Sequence, residues 1–172
     1  MKSFNSKVAV ITGAGSGIGR HLSIQMAEQG ARVALADVST KGLEETKLLI
    51  EEKGYEVFTF NVDVSKKDQV YQLCDDIIDQ FKQVDLVINN AGVALGKLSV
   101  EEVSYEELEW IFGINLWGVI YGSKAFLPHL LERPEAYIVN ISSVFGLIGI
   151  AHQAPYCTTK FAVRGFTESL KA

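Results

Sequence analysis

The chain has 172 residues, of which 48% are hydrophobic and 22% are charged, a composition typical of one globular domain with a substantial core. Its net charge of -5 disfavours binding to nucleic acids or anionic membranes, and no stretch approaches the ~18 apolar residues of a membrane span. Cys74 and Cys157 lie far apart and share no metal-ligand spacing with the three histidines, so we expect reduced thiols, no metal site and a cytoplasmic location.

The first half of the chain alternates between strand and helix patterns. The apolar, β-branched run 7–13 predicts a buried strand, and residues 18–29 predict a helix that Gly30 ends. Residues 31–37 predict the second strand. The charged amphipathic stretch 39–54 then predicts a helix opened by a Ser or Thr cap.

The alternation continues with a third strand predicted at 56–64 and a fourth at 84–92. Between them, Ser65 is predicted to cap a helix, whose apolar positions follow the 3.6-residue period: Val70, Leu73, Cys74, Ile77 and Phe81. Ser104 followed by Glu107 is the pattern of a capping box and predicts a long helix through residue 131.

The last predicted elements are a fifth strand at 136–143 and a final helix. Pro155 is well placed near the start of that helix, because proline lacks the N–H group that a first turn leaves unpaired. Five strand–helix pairs in series predict a parallel sheet covered by helices on both faces, which is a doubly wound α/β fold.

The first strand ends in the glycine-rich segment TGAGSGIG, residues 12–19. Turns without Cβ atoms let the backbone approach a pyrophosphate, and the following helix offers free N–H groups and a partial positive charge. The segment therefore predicts a dinucleotide site that includes Gly13, Ser16, Gly17, Ile18 and Gly19. The alternative is a glycine-rich turn that binds no ligand.

Asp37 ends the second strand, 18 residues after Gly19. A carboxylate there accepts hydrogen bonds from the ribose hydroxyls of an adenosine and repels a 2′-phosphate. Neither Ser16 nor residues 38–40 supply an arginine or lysine for that phosphate, so NAD(H) is favoured over NADP(H). The alternative is a solvent-facing aspartate that caps the next helix.

Tyr156 and Lys160 are four residues apart, so one helical turn would place both on one face. An ammonium group near a phenol favours the phenolate and makes a proton carrier. Tyr156 is the only one of the six tyrosines that is followed by lysine at this spacing.

Five motifs in this order resemble the short-chain dehydrogenase/reductase family, in its short single-domain branch. They are TGAGSGIG, NNAG at 89–92, Asn115, Ser143 and YCTTK at 156–160. Tyr156 lies 13 residues after Ser143, which is the interval usual in that family. The resemblance extends from Val8 to about Leu170.

The resemblance implies an NAD(H)-dependent oxidoreductase that interconverts a secondary alcohol and a ketone. Tyr156 would be the general acid/base, and Lys160 would stabilise its phenolate and bind the nicotinamide ribose. Ser143 would hold the substrate oxygen, and Asn115 would retain a water that links Lys160 to solvent. Each has a structural alternative: a surface tyrosine, a solvated lysine, a serine bonded to its loop, or an asparagine that satisfies a local carbonyl.

The resemblance also implies that Asp63 and Val64 flank the adenine, and that Asn90 supports the sheet and touches the adenosine half of the cofactor. Other residues are candidates for a substrate pocket or ordinary loop residues: Val93, Ala94, Val144, Phe145, His152 and Gln153. Cys157 is expected to be a small buried or half-buried residue.

Members of the resembled branch continue beyond the last residues of this sequence, so we expect residues 1–172 to be one dinucleotide-binding and catalytic domain that lacks its C-terminal part. We also expect a homodimer or homotetramer through the wide apolar faces of the last two helices. A nucleotide-binding protein without catalysis on the same fold is the main alternative. A sugar-nucleotide epimerase or dehydratase fits less well, because those relatives space the glycine loop differently.

Overall fold

The computed structural model describes residues 3–170 and contains one parallel sheet of five strands. The strands are β1 Val8–Thr12, β2 Arg32–Asp37, β3 Val57–Asn61, β4 Leu86–Asn89 and β5 Tyr137–Asn140. Their order across the sheet is β3-β2-β1-β4-β5, and every neighbouring pair is parallel. This is the predicted doubly wound arrangement. Residues 1–2 and 171–172 of the predicted domain lie outside the described residues.

Six α-helices connect and cover the strands in residues 3–170. They are α1 Gly17–Glu28, α2 Thr40–Glu51, α3 Lys67–Phe81, α4 Tyr105–Phe112, α5 Gly118–Leu131 and α6 Ala154–Ser169. A π-helical turn, Gly113–Trp117, joins α4 to α5, and a 3₁₀ turn, Val144–Gly146, precedes α6. Within residues 3–170, no helix has the length and apolar character that crossing a membrane requires.

The core has two layers because alternate side chains of each strand point to opposite faces of the sheet. Val8 and Val10 of β1 belong to the layer that includes residues of α3 and α5. Ala9 and Ile11 of the same strand belong to the layer that includes residues of α1 and α2. All five residues of β1 are buried, as expected for a central strand covered on both faces.

The helix starts agree with most of the local predictions. The Ser39 hydroxyl accepts a hydrogen bond from the Gly42 N–H and caps α2, and Ser104 forms the predicted capping box with Glu107. The prediction that Ser65 caps α3 is wrong. The Ser65 hydroxyl instead donates to the Asp63 carboxylate at 2.7 Å, and Lys66 occupies the cap position.

Several segments differ from their predicted form. The fourth strand spans Leu86–Asn89 and not 84–92, and the fifth spans Tyr137–Asn140 and not 136–143. The third strand ends at Asn61, three residues early, because the chain turns away from the sheet at residues 62–65. The long helix predicted from 105 to 131 is not a continuous α-helix, since the π-helical turn inserts wider geometry around Asn115. Such π turns are frequent at functional sites.

The strand order reverses at β1, which pairs with β2 on one side and β4 on the other. The connections that follow β1 and β4 therefore leave the sheet in opposite directions. This divergence opens a crevice at the carboxyl ends of the strands, where doubly wound proteins bind ligands.

Candidate active site

A cavity of about 620 Å³ occupies this crevice. Its volume lies within the ~300–1,000 Å³ usual for ligand pockets. Eleven of the residues predicted from the sequence to take part in catalysis or cofactor binding line this cavity: Gly13, Ser16, Gly17, Ile18, Asp37, Asp63, Val64, Asn90, Ser143, Tyr156 and Lys160. Gly19 and Asn115 are buried next to it and are not among its lining residues.

The glycine-rich turn forms one wall of the cavity. Gly13 and Gly17 have positive φ angles of +66° and +50°, a conformation that side chains disfavour. A Cβ atom on Gly13 would lie 2.8 Å from the Ala91 Cα, whereas one on Gly17 would meet no described atom within 4 Å. The turn is thus packed against the sheet on one side and open on the other.

Helix α1 begins at this open side. Ser16 is its N-cap residue, and its side chain makes no capping hydrogen bond to the described backbone. The first N–H groups of a helix have no partners within the helix and attract anions. An anionic group in the cavity would therefore meet free donors at residues that line it.

Asp37 is fixed by two backbone N–H groups. Its Oδ2 accepts from the Gly15 N–H and its Oδ1 from the Ser39 N–H, both at 2.8 Å. Ser39, and not Asp37, is the N-cap residue of α2, so Asp37 orients the cap residue and does not cap the helix itself. The carboxylate nevertheless lines the cavity, with its orientation set before any ligand binds.

Helix α2 and Arg20 bind the carbonyl groups of the same turn. The Thr46 hydroxyl donates to the Ala14 carbonyl at 2.9 Å, and the Arg20 guanidinium donates to the Gly15 carbonyl. The Arg20 Nε also donates to the Thr46 hydroxyl oxygen at 3.0 Å. Thr46 is fully buried, so these bonds are shielded from water.

Asn90 and Gly19 support the turn from the sheet side. The Asn90 amide donates to the Thr12 carbonyl at 2.9 Å, and its backbone N–H donates to the Thr12 hydroxyl at 3.0 Å. A Cβ atom on Gly19 would lie 2.1 Å from the Gly13 carbonyl oxygen and 2.7 Å from the Asn90 Nδ2. Gly19 is therefore required for close packing behind the cavity wall.

The turn after β3 forms the wall on another side. Asp63 Oδ1 accepts from the backbone N–H and the hydroxyl of Ser65 at 2.9 and 2.7 Å. Val64 is 8% exposed and lies against Gly118, where an added Cβ would come within 2.9 Å of Val64 Cγ2. Both residues line the cavity.

Tyr156 and Lys160 lie one turn apart on α6, at the other end of the cavity. The Lys160 Nζ is 5.6 Å from the centroid of the Tyr156 ring and donates to the Ile141 carbonyl at 2.9 Å. Lys160 is 4% exposed, and desolvation lowers the pKa of its ammonium group. The site therefore holds a lysine that water solvates poorly beside a phenol.

Ser143 precedes the 3₁₀ turn that follows β5. Its hydroxyl oxygen accepts from the Phe145 N–H at 3.1 Å, the bond expected from its structural alternative. Its own proton can still be donated toward the cavity, because a hydroxyl has one donor besides its acceptor lone pairs. The Phe145 and Tyr156 rings are nearly perpendicular, with their centroids 5.9 Å apart.

Asn115 lies in the π-helical turn and is fully buried. Its amide accepts from the Val93 N–H and donates to the Val93 carbonyl, both at 2.8 Å, and it also donates to the Thr159 hydroxyl at 3.3 Å. An added Cβ on Gly92 would lie 3.4 Å from Asn115 Oδ1 and 3.5 Å from Lys160 Nζ. The two side chains thus approach the same backbone, although they belong to different helices.

The structure also shows lining residues that the sequence analysis did not single out. They are Val38, Val62, Ile114, Ile141 and Ser142, while two further lining residues, Ala91 and Gly92, belong to the NNAG motif. Most of them are next in sequence to the end of a strand or to a predicted motif, and this position could have identified them. Val93 and Ala94 also line the cavity, whereas Val144, Phe145, His152 and Gln153 are not among its lining residues.

Comparisons with known proteins match these features. A sequence model of the family described as short chain dehydrogenase matches residues 7–172. A Mycobacterium tuberculosis protein named SadH, and described as an oxidoreductase, is 46% identical over 171 residues. That match covers 99% of this chain and 62% of the relative, so the chain spans less than two thirds of its length.

Solved structures agree with the fold, and some of them hold a nicotinamide dinucleotide. A short-chain dehydrogenase/reductase from Burkholderia phymatum in complex with NAD has a TM-score of 0.95 and 41% identity, covering 99% of this chain and 60% of that one. A metagenomic short-chain oxidoreductase in complex with NADP has a TM-score of 0.94 and 27% identity, covering 98% and 76%.

The residues present here fit such a cofactor. A Cβ atom at Gly13 would disrupt the glycine-rich turn, whose other side is open. The start of α1 offers N–H groups that no side chain caps. The Asp37 carboxylate at the end of β2 is already oriented by a hydrogen bond. With a family match over nearly the whole sequence, these features lead to one conclusion: the chain belongs to the short-chain dehydrogenase/reductase family.

Proposed function

We propose that this chain carries the catalytic domain of an NAD(H)-dependent oxidoreductase that interconverts a secondary alcohol and a ketone. The observation that carries the proposal is the convergence of Ser143, Tyr156 and Lys160 at one end of a cavity whose other end is formed by the glycine-rich turn and Asp37. A protein that only binds a nucleotide has no chemical need for a buried lysine beside a tyrosine.

Tyr156 is proposed as the general acid in ketone reduction and the general base in alcohol oxidation. A tyrosine hydroxyl ordinarily holds its proton at neutral pH, so it needs a neighbouring positive charge to exchange that proton readily. The Lys160 ammonium, 5.6 Å from the ring centroid, supplies such a charge in a poorly hydrated site. Ser143 would donate a hydrogen bond to the substrate oxygen and hold it near the phenol.

A nicotinamide cofactor, when bound, supplies the hydride donor or acceptor for this reaction. The glycine-rich turn and the start of α1 would bind its pyrophosphate, and Asp37 its adenosine ribose. Asp63, Val64 and Asn90 would border the adenosine half, while Lys160 would bind the nicotinamide ribose. Asn115 would position a water between Lys160 and solvent.

Preference for NAD(H) is part of the proposal. The Asp37 carboxylate has one oxygen fixed by the Gly15 N–H and the other by the Ser39 N–H, so it cannot turn away from a 2′-phosphate without breaking a hydrogen bond. Residues 38–40 bring no cation to offset this charge. Arg20, the cation nearest in sequence to the turn, forms an ion pair with Glu45 at 2.7 Å.

Substitution of Tyr156→Phe tests the reaction. We expect turnover of any accepted alcohol or ketone to fall by at least ~100-fold, the usual contribution of general acid–base catalysis. The affinity for NADH should stay within about twofold, because the ring remains. Turnover is measured by NADH absorbance and binding by NADH fluorescence.

Undiminished turnover in the Phe variant would refute the role of Tyr156. Tight NADH binding by the unmodified protein, with no turnover across a broad panel of alcohols and ketones, would favour the nucleotide-binding protein without catalysis.

We also propose that residues 1–172 form a single domain, that the protein is cytoplasmic, and that it assembles as a homodimer or homotetramer. Four large aromatic side chains on α4, the π-helical turn and α6 are exposed, which supports assembly because such side chains are usually covered. They are Tyr105, Trp110, Trp117 and Phe161, with exposed fractions of 82%, 48%, 48% and 43%. Sedimentation velocity should show a dimer or larger species at micromolar concentration. A monomer under those conditions would contradict the proposed assembly.

A further inference from the structure

Ser142 lines the cavity beside Ser143, but its hydroxyl proton is already bound within the protein. The hydroxyl donates to the Lys160 carbonyl at 2.8 Å. Lys160 lies inside α6, where a carbonyl already accepts from the N–H group four residues later. Because the helix does not need this second donor, the effect of the bond is to attach α6 to the segment that follows β5.

Ile141, the residue before Ser142, binds the other end of Lys160. Its carbonyl accepts from the Lys160 Nζ at 2.9 Å. The Ile141 N–H donates to the Asn89 carbonyl at 3.0 Å, so this residue is itself fixed to the sheet. A lysine side chain has many rotamers when it is free. Here two consecutive residues hold its backbone and its ammonium group, and we call the Ile141 carbonyl and the Ser142 hydroxyl the Lys160 clamp.

The packing around the clamp is tight. A Cβ atom on Gly146 would lie 2.5 Å from the Ser142 Oγ and 2.7 Å from the Lys160 carbonyl oxygen. The Gly146 N–H donates to the Ser143 carbonyl at 2.9 Å, so Gly146 belongs to the turn that Ser143 begins. The Ser142 hydroxyl therefore lies where this turn meets the helix that carries Tyr156.

A second hydrogen bond from β5 to α6 lies farther from the site. The Asn140 amide donates to the Thr167 hydroxyl at 3.0 Å, and this hydroxyl donates to the Val163 carbonyl at 2.7 Å. Thr167 comes seven residues, or about two helical turns, after Lys160 and does not line the cavity. Removing its hydroxyl would break a bond between β5 and α6 and leave the Lys160 clamp in place.

Lys160 is the charged group that faces Tyr156, with its Nζ 5.6 Å from the ring centroid. The π-helical and 3₁₀ turns pack on α6 and contain no titratable side chain. On α6 itself, Arg164 pairs with Glu168 at 2.9 Å. In the preceding loop, the charge of His152 acts on Glu102 and lowers its pKa. The titratable groups of β5 and α4 are exposed, apart from the one in the capping box, Glu107; the exposed ones are Tyr137, Tyr105, Glu106 and Glu109.

From these observations we infer that Ser142 is a positioning residue, which keeps the Lys160 ammonium close to the Tyr156 phenol and so sets the pH range in which Tyr156 exchanges its proton. The inference rests on the proposed function. Ser142 forms no bond to the substrate and keeps its own proton. Without its hydroxyl, α6 is attached less firmly beside Lys160, the ammonium can move away from the phenol, and the phenolate loses stabilisation.

Ser142→Ala tests the inference through the pH dependence of alcohol oxidation, in which the Tyr156 phenolate would be the base. We expect the midpoint of the kcat profile to move to higher pH by roughly half a unit to one unit, because a more distant ammonium favours the phenolate less. Thr167→Val is the matched control, since it also removes a hydrogen bond between β5 and α6. Its profile should keep the midpoint of the unmodified protein.

A second measurement reports on Lys160 directly and needs no turnover. Reductive methylation with formaldehyde and a borane reductant, followed by peptide mass spectrometry, measures how readily each lysine amine reacts. We expect Lys160 to react roughly two- to tenfold faster in Ser142→Ala than in the unmodified protein or Thr167→Val, the range expected for loss of one hydrogen bond. Lys41, with a side chain 90% exposed, is the internal reference and should react equally in all three.

Three results would overturn the inference. They are a Ser142→Ala variant in which neither readout changes, a change in only one of the two readouts, and equal changes in Ser142→Ala and Thr167→Val, which would mean general loosening of α6. Failure of the proposed function is distinguishable, because in that case no alcohol is oxidised by the unmodified protein. The methylation rates would then still show whether Ser142 holds Lys160.

Discussion

Asp37 illustrates how one side chain can support both the fold and binding. Its carboxylate accepts one backbone N–H from the glycine-rich turn and another from the start of α2, and it also lines the cavity. Each oxygen retains lone pairs that can face a ribose. Its hydrogen bonds to the backbone and a role in ligand binding therefore do not exclude each other.

The charge and the hydrogen bonds of Asp37 can be separated by substitution. In Asp37→Asn one amide oxygen can still accept from Gly15, while the charge that repels a 2′-phosphate is gone. We expect NADPH affinity to rise about tenfold, equivalent to ~1.4 kcal/mol, and NADH affinity to fall only a few-fold. Fluorescence titration with both dinucleotides measures the change.

Asp37→Ala is the control for that experiment. It removes both hydrogen bonds, so we expect weaker binding of NADH and NADPH alike. If Asp37→Asn leaves the ratio of the two affinities unchanged, the carboxylate does not select the cofactor.

At the scale of single residues, the sequence predicted side chains that belong to motifs and missed those that need the fold. Tyr156 and Lys160 follow from helical spacing. The approach of Asn115 and Lys160 to Gly92 does not, because it depends on the packing of α6 against the π-helical turn. Ser142 was missed for the same reason: its hydroxyl donates to the Lys160 carbonyl at 2.8 Å, across 18 residues of sequence.

At the scale of elements, α2 braces the glycine-rich turn. The Thr46 hydroxyl connects the Ala14 carbonyl to the Arg20 guanidinium, and an added Cβ on Gly42 would lie 2.8 Å from the Gly15 oxygen. With its carbonyl groups bound on this side, the turn keeps its shape. Thr46 is thus a positioning residue, although it does not line the cavity.

Thr46→Val keeps the shape of the side chain and removes the hydroxyl, whereas Thr46→Ser keeps the hydroxyl. We expect the Val variant to bind NADH about tenfold more weakly, because a buried carbonyl and a guanidinium N–H lose a partner worth ~1–2 kcal/mol. The Ser variant should bind within about twofold of the unmodified protein. Titrations with NADH, ADP and adenosine measure the effect.

The three ligands distinguish positioning from general loosening of the fold. Loss of the brace should weaken NADH and ADP by the same factor and adenosine much less, because only the first two carry a pyrophosphate. Equal weakening of all three, or weak binding by both variants, would contradict a specific brace.

Some helix boundaries were predicted correctly from the sequence and others were not. The capping box at Ser104 and the cap at Ser39 were predicted because both use short-range hydrogen bonds. The Ser65 cap was not observed because the helix begins one residue later than predicted, with Lys66 at the cap position, and the Ser65 hydroxyl donates a hydrogen bond to Asp63. The π-helical turn was missed because it lasts only five residues and hardly alters the apolar pattern of a long helix.

At the scale of the whole molecule, a buried carboxylate joins distant segments at the amino ends of the strands. Asp85, with a side chain 0% exposed, accepts from the Val8 N–H at 3.0 Å, from Lys7 at 3.2 Å and from Arg133 at 3.0 Å. Burial by itself would raise the pKa of Asp85. The hydrogen bonds from Val8, Arg133 and Lys7 outweigh burial, so the pKa is lowered.

A lowered pKa means that Asp85 stabilises the fold above the pKa of an unfolded aspartate, ~3.9, and that this stabilisation is lost as the pH falls through the folded value. We expect Asp85→Asn to reduce the free energy of unfolding by about 3 kcal/mol at neutral pH. The difference from the unmodified protein should shrink below about pH 4. Urea unfolding at a series of pH values measures it.

Glu56→Gln is the control, since Glu56 forms an exposed ion pair with Arg32 at 3.7 Å and its side chain is 65% exposed. Such pairs contribute little, so we expect a change within ~0.5 kcal/mol. An Asp85→Asn effect that is the same at acidic and neutral pH would show that lost packing, and not the charge, is responsible.

The overall topology was the easiest level to predict, because alternating strand and helix patterns leave few arrangements that obey the rules for connections. Strand ends were harder. Val62 and Val64 continue the apolar pattern of β3, yet they are buried in a turn and not in the sheet.

The position of Asp85 and its partners Lys7, Val8 and Arg133 affects how the protein can evolve. These residues lie at the amino ends of the strands, whereas the cavity lies at their carboxyl ends, so mutations can accumulate at one edge with little effect on the other. A destabilising change in a loop that lines the cavity could be offset by a stabilising one near Asp85, without disturbing the cavity. The residues around the cavity can therefore change and alter specificity, while interactions at the opposite edge of the sheet keep the fold stable.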